Sequence, residues 1–209
     1  MPKVATEHKI SSIDQLESIY GPANPRSLTK EIDYISDHYR AFIDASPFAM
    51  IASVADEGVD CSPRGDPAGF VRVVDRHTVM IPDRNGNNRV DTLRNIVRDG
   101  RCALLFLVPG VGETMRINGR AELSIEPDLL ASFEMQGKLP RCVIVVHVER
   151  VYFQCSKALA RSKLWDPEAQ VPRSALPSTG QMIKALSQEE FDAKAYDENY
   201  PAHMAKTIY

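Results

Sequence analysis

Between residues 48 and 154 short runs of apolar and β-branched residues are separated by tight turn signals, and this rhythm constrains the fold more than any other feature. FAMIASV (48–54) meets a turn at Asp56-Glu57-Gly58, and residues 59–62 return as its partner. Residues 70–74 and 78–81 flank a second tight turn at Asp75-Arg76. CALLFLV (102–108) is apolar at every position, which predicts a strand buried on both faces. Past the turn at Pro109-Gly110-Val111-Gly112, Met115, Ile117, Ala121 and Leu123 alternate with Thr114, Arg116, Arg120 and Glu122. That is a two-faced strand with Gly119 inside it. CVIVVHVERVYFQ (142–154) is the last long strand. Many strands, few helices and short connections predict a mainly β barrel of the α+β class, with helices at its periphery.

Helical signals are concentrated at the ends. Ser12-Ile-Asp-Gln15 has the form of a capping box opening a helix towards Ile19. Gly21, Pro22 and Pro25 interrupt the chain, and Thr29 is placed to cap a second helix bearing Ile32, Ile35, Tyr39, Phe42 and Ile43. Asn88 reads as the N-cap of a central helix carrying Val90, Leu93, Ile96 and Val97, closed by Asp99-Gly100. Residues 128–135 read as a short helix. After Cys155 come Pro167, Pro172 and Pro177, then a capping pattern at Ser187-Gln-Glu-Glu190. The chain of 209 residues therefore reads as one domain: a helical N-terminal arm (about 1–46), a barrel (about 47–165) and a C-terminal arm (about 166–209) laid over the barrel or a partner.

The formal net charge is -3, which favours neither nucleic acid nor an anionic membrane as a partner, so a positive site must be local. No apolar run spans a bilayer, and the start MPKVATEHKI lacks a signal-peptide core, so a cytoplasmic protein is expected. Cys61, Cys102, Cys142 and Cys155 have no metal spacing and read as reduced thiols.

Three stretches carry candidate chemistry. In residues 80–90, MIPDRNGNNRV, a strand enters a polar Gly-containing loop and then a helix N-terminus, which favours an anion. Arg84 and Arg89 near that positive end are disfavoured unless a phosphate, or Asp83 and Asp91, compensates them. In residues 60–66, DCSPRGD, Arg64 offers a guanidinium fork, Ser62 a hydroxyl and Gly65 close backbone approach. In residues 155–166, Lys157, Arg161 and Trp165 recur every four residues. On a helix they form one stripe, which either meets a charged planar ligand or stacks Arg161 over Trp165. His147 lies in an apolar strand and reads as a core or lining residue. Walker, Rossmann, zincin and nucleophile-elbow motifs are absent.

In order, DCSPRGD (60–66), IPDRNGNNR (81–89), DTLRNI (91–96), CALLF (102–106), ETMRINGRA (113–121) and CSKALARSKLW (155–165) resemble the pyridoxamine 5′-phosphate oxidase-like FMN-binding split-barrel flavoproteins. The resemblance covers roughly residues 42–165. It implies a six-stranded, Greek-key-like split barrel that forms a homodimer with two FMN sites at the interface. It also implies phosphate contacts from Ser62, Pro63 and Arg64, and ring and phosphate contacts from Ile81, Pro82, Asp83, Arg84, Asn88 and Arg89. Thr92 lies one helical turn beyond Arg89. Thr114 would reach FMN from the other chain, and Lys157, Arg161 and Trp165 would close the site.

Two departures matter. The usual Arg/Lys pair before the helix appears as Asn88-Arg89, and no C-terminal arginine motif precedes MAKTIY, which points away from vitamin B6 oxidation. The expected activity is that of an FMN-dependent oxidoreductase on a small molecule, with NADH or NADPH as electron donor. The alternative is a non-catalytic flavin, F420 or haem module on the same fold, with His147 as the histidine to inspect for haem. No side chain is compelled to be an acid, base or nucleophile, so no catalytic residue is assigned.

Overall fold

The computed structural model describes residues 8–209; the first seven residues, part of the N-terminal arm and of the expected non-signal start, lie outside it. Seven antiparallel strands form one sheet: β1 (Phe48–Ala55), β2 (Gly58–Gly65), β3 (Arg72–Asp75), β4 (Thr78–Asp83), β5 (Arg101–Leu107), β6 (Thr114–Ser124) and β7 (Cys142–Gln154). Their order is β2-β1-β5-β6-β7-β4-β3. β5, β6 and β7 are a meander, and β4 returns beside β7, which completes a Greek key. The resemblance implies six strands, whereas the residue pattern itself marks seven; the structure has all seven, β3 and β4 flanking the turn at Asp75-Arg76.

The sheet curls until its edges meet. Arg64 on β2 is linked through Ala49, Phe106 and Met115 to Phe153 on β7. Asp83 on β4 pairs instead with Cys142, eleven residues earlier on β7. Yet Arg64 Nη2 and Asp83 Oδ1 lie 3.2 Å apart. An offset of this kind between facing edges is the stagger that rolls a sheet into a barrel. The seam between β2 and β4 is closed by side chains, which is what splits the barrel. One apolar core fills it, with Ile51, Ile81, Leu104, Phe106, Met115, Ile117, Ile144 and Val146 almost wholly buried. β6 carries a bulge at Asn118/Gly119 opposite β7. A Cβ on Gly119 would stand 2.0 Å from the His147 carbonyl oxygen, so only glycine allows the two strands to approach there.

Helices lie outside the barrel. α1 (Ile13–Tyr20) is capped by Ser12 as expected, but the capping box stays open: the Gln15 side chain accepts from the Ser11 N–H instead. Thr29 does not cap a helix; it closes the short α2 (Pro25–Thr29), whose cap is Asn24. α3 (Asp37–Ala45) starts at Ser36, leaving Ile32 to bridge Val151 and Ile35 to enter the core from extended chain. α4 (Asp91–Arg98) joins β4 to β5, and α5 (Pro127–Ser132) joins β6 to β7. Asn88 is not the cap of α4. Val90 occupies that position without a side-chain cap, while Asn88 has φ 59. β5 also departs from expectation: Cys102, Leu104 and Phe106 are buried, but Ala103, Leu105 and Leu107 are only half-buried.

Beyond α6 (Lys157–Ser162), the arm holds α7 (Thr179–Leu186) and α8 (Ala193–Thr207). The working capping box is Ser178–Gln181; Ser187 ends α7, and Asp192 caps α8. Among the described residues no helix is long and apolar enough to cross a membrane.

Candidate functional site

Where the barrel edges meet, β2 delivers Arg64 and the loop after β4 delivers Arg84. Arg64 is mostly withdrawn from solvent, with 24% of its side chain exposed. Its Nη2 pairs with Asp83, but its Nε is buried and has no hydrogen-bond partner. A buried donor without a partner costs about 1–3 kcal/mol, so this group calls for an acceptor. Burial raises the Asp83 carboxyl above its ordinary value, while Arg64 and then Arg141 pull it down. Arg84 is fixed from two sides: Nε pairs with Asp66 at 2.8 Å, and Nη1 donates to the Phe133 carbonyl at 2.6 Å.

Two small cavities open on either side of Arg64. One, about 120 Å³, is framed by Asp83, Arg84, Asn88, Arg89 and Arg141 and reaches Val90 at the start of α4. The other, about 170 Å³, is framed by Pro63, Asp66, Pro82 and Arg84. Because Val90 offers no side-chain cap, the first N–H groups of α4 remain available to an anion. Ser62 donates to Asp60 at 2.9 Å, and the Thr92 hydroxyl donates to the same carboxylate, tying β2 to the first turn of α4.

The structure thus gathers Pro63, Arg64, Pro82, Asp83, Arg84, Asn88 and Arg89 around these cavities, with Ser62 and Thr92 as struts. Ile81 is a correction: its side chain is 0% exposed and belongs to the core, so it packs the barrel and cannot touch a ligand. Arg89 is mostly solvated and pairs with Asp91 at 2.6 Å, the compensation weighed for it from sequence. Arg84 is compensated by Asp66 instead of Asp83.

Thr114 is buried and lies three strands from Gly65, roughly 14 Å away across the ladder at ordinary strand spacing. It therefore does not join this site within one chain. The stripe of Lys157, Arg161 and Trp165 does not form either. α6 ends at Ser162, and Lys163 has φ 52, which turns the chain off the helix axis. Trp165 instead donates its indole N–H to the Val111 carbonyl at 2.8 Å, beside the β5–β6 turn. His147 is exposed on the outer side of β7, with Nε2 3.2 Å from Glu122.

The sequence reading missed Arg141, whose side chain donates to Asn88 at 2.9 Å and whose N–H donates to the Asp83 carbonyl at 3.1 Å. Only the β4–β7 register, Asp83 opposite Cys142, brings it here. It also missed Tyr209, which reaches back from the C-terminal arm to donate to Asp66 at 2.5 Å.

A curled antiparallel sheet whose edges meet at a seam lined by arginines defines the class as a split barrel. A family model for pyridoxamine 5′-phosphate oxidase matches residues 35–155, more than half of the chain. The chain belongs to the pyridoxamine 5′-phosphate oxidase family. Among solved structures, HupZ of Group A Streptococcus is 22% identical over 58% of this chain and 95% of that one, with TM-score 0.49. A candidate pyridoxamine 5′-phosphate oxidase from Lactobacillus delbrueckii is 18% identical over 58% and 95%, with TM-score 0.46. The FAD binding protein from Mycobacterium smegmatis is 14% identical over 59% and 97%, with TM-score 0.41. No curated protein sequence matches the chain.

Proposed function

We propose that the chain is a cytoplasmic FMN-dependent oxidoreductase that grips its cofactor by the phosphate and acts on a small molecule. The observation that carries this reading is the buried, unpartnered Nε of Arg64 at the wall of two cavities. A phosphate oxygen supplies the missing acceptor, and charge-assisted bonds to it are the stronger kind. Arg84 and the uncapped start of α4 add positive potential, while Asp60 holds Ser62 and Thr92 in place. Bound FMN would supply reversible acceptance of electrons; the protein's part is to bind, orient and tune it.

The two cavities suit a phosphate and not a tricyclic ring, since ligand pockets for whole small molecules run to about 300–1,000 Å³. The ring therefore needs a second wall, and a homodimer supplies it. An apolar outer patch of Ala52, Val54, Val59 and Ala103 favours such pairing, with Leu105 and Leu107 half-buried on the same strand as Ala103. In the dimer Thr114 and the α6 segment of the partner would approach the ring. Anaerobic mixing with NADH or NADPH tests the redox reading through bleaching of the flavin. Slow bleaching by either, with little by pyridoxamine 5′-phosphate, is expected; no bleaching by either nicotinamide makes the chain a flavin-binding module.

A further inference from the structure

Residues 178–209 form a unit that the barrel hardly holds. α7 and α8 pack on each other as a hairpin. The Gly180 N–H donates to Asp197 at 2.8 Å, the Ser178 hydroxyl donates to the same carboxylate, and a Cβ on Gly180 would stand 2.4 Å from the Ala193 carbonyl oxygen. The hairpin shares no core with the barrel, for no residue of α8 is buried and Gly180 is the one buried residue of α7. The root of the arm is fixed where Trp165 donates to Val111. Between root and hairpin, residues 167–177 are all exposed and carry two short turns, Pro167–Ala169 and Arg173–Ala175. The family match ends at residue 155, so this arm lies outside it.

Among the described residues, the hydrogen bonds from residues 178–209 to the rest of the chain all run through Tyr209. Its phenol donates to Asp66 Oδ1 at 2.5 Å, its main-chain oxygen accepts from Lys138, and its ring lies 5.8 Å from the Arg84 guanidinium. The Asp66 side chain is 1% exposed, and its other oxygen takes Arg84 Nε. One buried carboxylate therefore joins the arm to an arginine of the seam. The bond to Asp66 raises the Tyr209 phenol above its ordinary value, which keeps the donor proton in place. Under the arm is a cavity of about 410 Å³, bounded by Lys206, Thr207 and Tyr209 of the arm and by Arg84, Asn85 and Arg141 of the barrel. It adjoins both seam cavities at Arg84.

We propose that the arm is a strap that gates the seam cavities, with Tyr209 as its latch. A packed hairpin on an exposed connector moves as a body when few contacts hold its far end, and here one residue holds it. With the latch closed, the arm covers the approach to Arg84. With the latch open, the Asp66 oxygen turns to water and the connector lets the hairpin swing away. Such a gate slows entry and exit alike, because both need the open state. Naming FMN as the gated ligand rests on the flavin reading; the latch itself does not.

The test follows FMN binding to full-length protein by stopped-flow quenching of flavin fluorescence, in wild type and in Tyr209→Phe, which removes the hydroxyl and keeps the ring. Losing a hydrogen bond to a buried carboxylate should raise the association and dissociation rates together, about tenfold, and leave the dissociation constant within about twofold. A rise in the dissociation rate alone would make Tyr209 a plain ligand contact and overturn the gate; so would unchanged rates. Hydrogen exchange of the ligand-free protein reads the latch without flavin. Residues 84–86 and 138–141, beneath the arm, should exchange about tenfold faster in Tyr209→Phe, while β1 and β5 keep their wild-type rates. Unchanged exchange beneath the arm overturns the proposal, and so does faster exchange throughout the barrel, which would make Tyr209 a prop of the whole fold. If the protein takes up no FMN, faster exchange confined to those segments keeps the latch and discards only the flavin reading.

Discussion

Replacing Arg64 isolates the phosphate grip from the rest of the fold. In the folded chain Arg64 spends one guanidinium nitrogen on Asp83 and leaves Nε buried without a partner. A phosphate therefore gains at least one charge-assisted bond that no protein group offers. Such a bond contributes about 1.5–3 kcal/mol, so Arg64→Ala should weaken FMN binding by roughly ten- to a hundredfold. Riboflavin, which lacks the phosphate, should lose far less. Asp83→Asn should act in the opposite direction: it removes the carboxylate that competes for Arg64 and should tighten FMN by a few-fold.

Flavin fluorescence quenching gives both dissociation constants, and melting curves report the fold. There is also a pH signature. Burial holds the folded Asp83 carboxyl above its ordinary value, so its contribution to stability is full below the unfolded value and is lost as pH rises through the folded value. Removing Arg64, the stronger of the two groups that pull it down, should move that loss to higher pH. Equal losses for FMN and riboflavin in Arg64→Ala, or unchanged FMN binding, would refute the phosphate assignment.

Gly119→Ala should cost about 3 kcal/mol or more, because the new Cβ meets the His147 carbonyl oxygen at 2.0 Å; a melting temperature lowered by about 6–12 °C is expected, and an unchanged one refutes the bulge argument. Burial pushes the Cys102 thiol up to about 12 and the Cys142 thiol up to about 11, so both are almost wholly protonated at pH 8. Mass spectrometry after brief alkylation of the native protein should show label on the exposed Cys61 and Cys155 only; rapid labelling of Cys102 contradicts the packed core. Light scattering of flavin-loaded protein should give a dimer, and Leu105→Lys should weaken both dimer and flavin; a wild-type monomer with full occupancy contradicts a shared site.

The strands were legible because the pleat writes its period directly into the sequence: β7 runs over the residues that its pattern predicts, and β1 comes within one residue. The half-buried outer face of β5 was not, since an unbroken apolar run reads alike whether its second face meets a core or a partner chain. Helix starts misled where several capping residues compete. Thr29, Asn88 and Ser187 each had the chemistry of a cap, but Ser36, Val90 and Asp192 hold the positions, because tertiary packing, of α3 and α4 on the barrel and of α8 on α7, decides where the chain turns.

At the site, Arg64 and Arg84 could be picked out as cations beside glycine or a helix start. Arg141 and Tyr209 could not, for they arrive through strand register and the return of the arm. Lys157, Arg161 and Trp165 shared a helical spacing that a left-handed residue at Lys163 interrupts, and spacing alone carries no sign of that turn.

The central claim is that the seam at Arg64 holds FMN. Releasing the ligand of the purified protein by denaturation, then measuring its fluorescence and mass, tests it most directly. The protein should be yellow and yield FMN at about one per chain, or the apoprotein should reach that ratio when FMN is added. A colourless protein that takes up no added FMN, or one whose spectrum is that of haem, would contradict it.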